Sequence, residues 1–201
     1  MVAPPSEQAL TQIITLTMNP AIDVSTTVAK VEPFSKLRCA AVRRDPGGGG
    51  INVARVVTRL GGRATAIYPI GGCTGQLLRK LMDGEGAESL AISAAAETRE
   101  DFTVFEETTE RQYRFVVPGP ELSKPEWQAC LDALRRIDGK PEFVIASGSL
   151  PPGVPVDFYG RVARLARDVG AKMIVDVAGA PLQAALDEGL YLIKPNRGEF
   201  Q

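Results

Sequence analysis

The 201-residue sequence contains no histidine. That absence removes the commonest general base, the usual serine and cysteine triads, and ordinary zinc sites. Acid–base chemistry would fall to Asp, Glu, Lys, Cys or Tyr. Cysteine is scarce too: Cys39, Cys73 and Cys130 are scattered without Cys-x-x-Cys spacing. They read as reduced thiols of a cytoplasmic protein, not as a disulfide frame. No apolar run approaches the roughly 20 residues that span a bilayer. Residues Met1 to Leu10 lack the basic start and apolar core of a secretory signal. A net charge of −1 excludes a broadly basic surface for nucleic acid. The expected partners are therefore neither nucleic acid nor membrane. Residues 1–11 read as a flexible tail, and 12–201 as one α/β domain.

Four consecutive glycines, Gly47 to Gly50, precede Ile51-Asn52-Val53-Ala54-Arg55. A helix is expected over Asn52–Leu60, with Val53, Val56, Val57 and Leu60 on one apolar stripe and Gly61-Gly62 closing it. The glycines would then stand at a helix N-terminus, where unpaired N–H groups favour a polar or anionic ligand. A plain turn after Pro46 explains them as well. No Gly-Lys-Ser/Thr follows, which excludes a P-loop. Asn52 occupies the third glycine position of a dinucleotide fingerprint.

Short apolar runs at Gln12–Thr17, Ala64–Pro69, Phe143–Ala146, Lys172–Val175 and Tyr191–Ile193 read as strands. Helical patterns fall between them, at about Thr74–Met82, Lys124–Arg136, Val156–Val169 and Pro181–Asp187. The alternation predicts a mostly parallel sheet flanked by helices. Ser123-Lys124-Pro125-Glu126 has the form of a capping box. Two segments, about 24–44 and 100–117, carry strand patterns without helices. They predict a small antiparallel sheet, the second segment a hairpin about Thr108-Thr109-Glu110-Arg111.

Candidate chemistry lies just after the strands, where open parallel sheets gather ligands. Asp23, in Thr17-Met18-Asn19-Pro20-Ala21-Ile22-Asp23, could orient hydroxyls; an Asx-type turn explains it too. Lys36 and Arg38, two apart on an expected strand, share a face and could clamp a phosphate, or could form a solvated basic edge. Arg99 raises the same question. Ser147-Gly148-Ser149-Leu150-Pro151-Pro152-Gly153 follows one strand, and Lys194-Pro195-Asn196-Arg197-Gly198-Glu199 another. Asn196 and Glu199 could orient water around Mg²⁺, or could form a helix cap.

In this order, these segments resemble the PfkB (ribokinase-like) carbohydrate kinase family, over almost the whole chain from Gln12. Ser35-Lys36-Leu37-Arg38 and Tyr113-Arg114-Phe115-Val116-Val117-Pro118-Gly119 look like its phosphofructokinase-2 and tagatose-6-phosphate kinase branch. The resemblance implies a ribokinase-like fold and ATP-dependent phosphorylation of a ketose phosphate, fructose 6-phosphate foremost. It implies that Asp23, Gly48, Gly49 and Asn52 hold sugar hydroxyls, and that Lys36, Arg38 and Arg99 meet the sugar phosphate. Ser149 would line that site. Lys194 and Asn196 would approach ATP, and Glu199 would organise Mg²⁺ through water. The small sheet would be the family's lid and a homodimer interface.

Two departures stand out. Asp101 occupies a position where relatives carry Asn, and a carboxylate there would repel a phosphate. The family's later Gly-Ala-Gly-Asp segment, which supplies an anion hole and the base, has no counterpart in these 201 residues. The resemblance therefore implies a catalytic base beyond Gln201 and none within the chain. The chain reads as a truncated domain with little or no activity alone. A non-catalytic sugar-phosphate binder and a 1-phosphofructokinase or tagatose-6-phosphate kinase are the alternatives. A kinase for unphosphorylated sugars is disfavoured by Lys36, Arg38 and Arg99.

Overall fold

A computed structural model describes residues 11–194. Asn196 and Glu199 therefore lie outside the described residues. So does Gln201, the position beyond which the catalytic base is expected. In chain order the elements are β1 (Gln12–Leu16), β2 (Ala21–Val28), β3 (Arg43–Gly47), α1 (Gly49–Arg59), β4 (Arg63–Ile70), α2 (Gly72–Gly84), β5 (Glu88–Ser93), β6 (Arg99–Glu106) and β7 (Arg111–Phe115). They continue as α3 (Lys124–Arg135), β8 (Phe143–Ser147), α4 (Phe158–Asp168), β9 (Lys172–Asp176), α5 (Ala180–Leu186) and β10 (Leu192–Ile193).

The main sheet has six parallel strands in the order β10-β9-β8-β1-β4-β5. Its strands read as continuous apolar runs because both faces are covered. Alternate residues feed two cores. Ile14, Leu16, Ile67, Val144 and Val175 pack with α3 and α4, while Ala64, Ala66 and Tyr68 pack with Ile51, Ala54, Leu78 and Met82 of α1 and α2. The larger core centres on Phe158, fully buried and edge-on to both Trp127 and Tyr159.

Helix α3 starts as its sequence suggests. Glu126 Oε2 accepts from the Ser123 amide at 2.6 Å, and Oε1 accepts from the Ala95 amide at 2.6 Å. One carboxylate thus caps the helix and ties it to the loop before β6.

Helix α1 departs from expectation in its buried face. It begins at Gly49, and Gly50, Ile51, Ala54 and Arg55 are buried. Val56 and Leu60 are exposed, because the helix is oriented by its glycines meeting the sheet and not by the valine stripe. Strand β5 carries no strong strand pattern, since Glu88 and Ser89 open a half-exposed edge.

The smaller sheet, in the order β3-β2-β6-β7, is mixed and not antiparallel throughout. β2 pairs in parallel with β6 because α1, β4, α2 and β5 intervene between them, whereas β3 and β7 are antiparallel. The strand expected around Lys36 and Arg38 is absent. Phe34 takes φ 61°, incompatible with an extended run, and the chain rejoins β2 only at Ala40, whose amide bonds to Thr27 O at 2.9 Å. No helix among the described residues is long and apolar enough to cross a membrane.

Truncating the ring at the centre of the larger core tests this packing. Phe158→Ala should lower unfolding stability by about 3–5 kcal/mol, read as a lower denaturant midpoint at unchanged slope.

Candidate active site

The carboxyl ends of β1 and β8 carry the first group of site residues. Gly48, the residue before α1, has φ 118°, a conformation that a side chain at this position would strain. It turns the chain so that α1 starts against both strands. A methyl group at Gly49 would collide with Ser147 Oγ, and one at Gly50 would lie 2.7 Å from Thr17 Oγ1. The Ile51 amide is held by Thr17 Oγ1 at 2.9 Å, which leaves the Gly49 and Gly50 amides for a ligand.

Asp23 belongs to this group. Its carboxylate lies over the glycine run, so close that a Gly47 Cβ would sit 2.6 Å from Oδ1. Burial, and then the neighbouring Asp101 carboxylate, push the Asp23 carboxyl above its ordinary range, against the pull of Arg114 and Arg99. Register explains the crowding: Asp45, Asp23 and Asp101 stand side by side on β3, β2 and β6. Asn52 is exposed, and its Oδ1 accepts from Arg55 Nη1 at 3.1 Å. The buried Arg55 also donates to Pro46 O at 3.1 Å and pairs with Glu85 at 2.6 Å, so it anchors Asn52 to the start of the glycine run.

The second group surrounds a cavity of about 360 Å³ lined by Asn19, Arg99, Val117, Gly119, Ser149 and Pro151, among others. Asn19 Nδ2 donates to Ser149 Oγ at 3.0 Å. Arg99 donates to Asn19 O at 3.1 Å and to Val117 O at 2.9 Å, and pairs with Asp101 at 3.0 Å. Two buried atoms here, Asn19 Oδ1 and Arg99 Nε, have no hydrogen-bond partner among the described residues. The cavity nevertheless brings a guanidinium, an amide and a hydroxyl side chain together, a set that fits a ligand with hydroxyl and anionic groups.

Lys36 and Arg38 stay outside both groups' hydrogen bonds. They are exposed in the irregular segment between β2 and β3, without an ion pair among the described residues. Lys194 pairs with Asp176 at 3.2 Å, and Asp176 also accepts from Ser147 Oγ at 3.2 Å. Asp176 lines a larger cavity of about 610 Å³ with Gly148, Ser149, Tyr159, Val177 and Pro181. Sequence reasoning missed Asp176, although its place at the end of the apolar run Lys172–Val175 was a usable signal. It also left Asn19 and Arg55 without a role.

A family model described as pfkB family carbohydrate kinase matches residues 13–201. The ATP-dependent 6-phosphofructokinase isozyme 2 of Mycobacterium tuberculosis (strain CDC 1551 / Oshkosh) is 51% identical over 190 residues, which are 94% of this chain and 56% of the relative. The isozyme 2 of Escherichia coli (strain K12) is 41% identical over 192 residues, 95% of this chain and 62% of the relative. The crystal structure of Escherichia coli phosphofructokinase-2 in complex with fructose-6-phosphate superposes with a TM-score of 0.89 at 40% identity, covering 94% of this chain and 63% of that one. The chain thus spans 56% to 62% of the length of these curated relatives.

Two substitutions probe the geometry. Gly49→Ala should destabilise by about 1–3 kcal/mol through its clash with Ser147, whereas Gly84→Ala, in open space on α2, should be neutral or stabilising by up to about 1 kcal/mol. A carboxyl whose folded pKa is raised loses stability for the protein as pH climbs from its unfolded value through its folded one. Asp23→Asn should therefore stabilise the chain near neutral pH, with the gain shrinking as pH falls to about 4, in denaturation curves against pH.

Proposed function

The chain belongs to the pfkB family of carbohydrate kinases, and on that premise we propose that it forms the acceptor-binding part of an ATP-dependent kinase for a ketose phosphate, fructose 6-phosphate foremost. The observation that carries this reading is the cavity lined by Asn19, Arg99 and Ser149, which joins a guanidinium to hydrogen-bonding side chains. The relatives named as 6-phosphofructokinases, and the neighbour solved with fructose-6-phosphate, support the choice of sugar.

In this reading Asp23 accepts hydrogen bonds from sugar hydroxyls, and the Gly48–Gly49 turn and Asn52 donate to others. Arg99 meets the phosphate with its charge at the cavity, and Ser149, oriented by Asn19, lines the site. Lys36 and Arg38 lie on an exposed segment between β2 and β3, and reaching a phosphate requires that segment to fold inward over the ligand. Lys194 approaches the nucleotide from its place on Asp176, beside the larger cavity. Asn196 and Glu199 are assigned to ATP and to Mg²⁺ through water. ATP supplies the γ-phosphoryl group. The chain's own residues bind and orient the hydroxyl that accepts it, and positioning and charge neutralisation are what such a transfer needs.

No free base stands in the site among the described residues. Asp101 is held by Arg99, Asp176 by Lys194 and Ser147, and Asp23 is assigned to the sugar. Little or no turnover is therefore expected from these 201 residues alone. The same observation favours a second reading, a non-catalytic sugar-phosphate binder. We place the chain in the cytoplasm, with the smaller sheet as a lid. Its exposed Phe102 and Phe115, register partners on β6 and β7, offer a face for a homodimer.

Calorimetric titration with fructose 6-phosphate, alongside a coupled turnover assay, tests the proposal. Binding is expected to weaken about tenfold or more in Arg99→Gln, the scale of one lost charge-assisted contact. Binding without turnover is the predicted outcome; heat equal to that of fructose itself, or rapid ATP-dependent turnover, would contradict it.

A further inference from the structure

Asp101 has a place in this site that its charge does not suggest. It neighbours Arg99, which lines the cavity proposed to hold a phosphate, yet its own side chain is only 15% exposed and already engaged. Oδ1 accepts from the Val117 amide at 3.1 Å and from Arg99 Nη1 at 3.1 Å, and Oδ2 lies 3.0 Å from the same nitrogen. Arg99, itself only 12% exposed, uses its remaining Nη contacts on Val117 O and Asn19 O. Three of its hydrogen bonds are thus fixed by β6 itself, the end of β7 and the loop after β1. The Nε–H is buried and without a partner among the described residues.

On the opposite side, the parallel register sets Asp101 directly beside Asp23. The charged groups facing Asp23 are Asp101 and Arg99 from β6, Arg114 from β7 and Asp45 from β3. Asp45 is turned toward Arg43 and Arg55, at 2.7 Å and 3.7 Å. Asp101 is the like charge that weighs most on Asp23, and burial strengthens the effect by lowering the local dielectric.

We infer that Asp101 is a positioning residue, acting on the ligand through Arg99 and Asp23 and not by contact: it locks the Arg99 guanidinium in place at the cavity lining and holds a negative charge beside the Asp23 acceptor. The inference rests on the acceptor-site reading above. A partly buried ion pair of this kind specifies geometry more than it stabilises. Arg99, which pairs with Asp101 and lines the cavity, is the cation that would offset repulsion between this carboxylate and a phosphate.

The test is made first on the ligand-free chain, so that it stands apart from the question of what binds. Asp23 side-chain titration is followed by NMR in wild type, Asp101→Asn and Asp101→Ala, together with hydrogen exchange of Arg99 Nε–H and the Val117 amide. Asp101→Asn should lower the Asp23 midpoint and keep Val117 protected, because the amide oxygen still accepts. Asp101→Ala should lower the midpoint too, and speed both exchange rates about tenfold or more. An Asp23 midpoint unchanged in Asp101→Asn would overturn the inference, as would unchanged Arg99 and Val117 exchange in Asp101→Ala. If Asp101→Ala does not fold, the nearly isosteric Asn variant decides through the midpoint alone. Fructose 6-phosphate titrated at about pH 5 and about pH 8 adds the functional arm. Wild type should lose more affinity on acidification than Asp101→Asn. Absence of binding in both proteins would refute the acceptor-site reading and leave the ligand-free result standing.

Discussion

The close approach of α1 to the ends of β1 and β8 is the constraint on which the site depends. Gly48 supplies the turn, and Gly49 and Gly50 let the helix start press against Ser147, Thr17 and the Leu16 carbonyl. A single methyl group at Gly49 or Gly50 would force these elements apart. The contact aligns the first-turn amides, the Asp23 carboxylate and the Ser147–Ser149 loop on one edge of the parallel sheet. Everything proposed for the acceptor follows from that alignment.

Around this contact the molecule accepts local disadvantages that the rest of the fold offsets. Asp23 is held partly buried beside a second carboxylate, and Asn19 Oδ1 and Arg99 Nε lack partners. Thr15 Oγ1, Arg55 Nε and Tyr68 Oη are also buried without a partner among the described residues. Cys130, with its thiol pushed up to about 12, and Tyr159 are shifted by burial foremost and sit in the apolar core. Tyr159 still donates to Gly148 O at 2.8 Å, so the core itself steadies the loop that carries Ser149. What sets the site apart is that two of the unpartnered groups belong to residues lining one cavity.

Much of this was legible in the residues. Strands buried on both faces declare themselves as apolar runs, so β1, β4, β8 and β9 were readable, and the Ser123–Glu126 cap gave α3 its start. Strand β5 was not, because an edge strand with Glu88 and Ser89 lacks that signature. The valine stripe of α1 misled, since the glycine contact chose which face was buried. Strand direction in the smaller sheet depends on a long-range crossover that local pattern cannot carry. In the site, Asp23, the glycines and Ser149 could be named from motifs. The roles of Asn19, Arg55, Asp101 and Asp176 depend on partners 16 to 130 positions away in the chain, Ser149, Glu85, Val117 and Ser147, and no local spacing rule reaches those.

The central claim is that one sugar phosphate is held jointly by the glycine turn, Asp23 and the Arg99–Ser149 cavity. Backbone and side-chain chemical shifts of the chain, followed during titration with fructose 6-phosphate, test it most directly. The account predicts concerted changes at Asp23, Gly48, Gly49, Asn52, Arg99 and Ser149 with a single affinity. Changes confined to the larger cavity around Asp176 and Pro181, or none at saturating sugar phosphate, would contradict it.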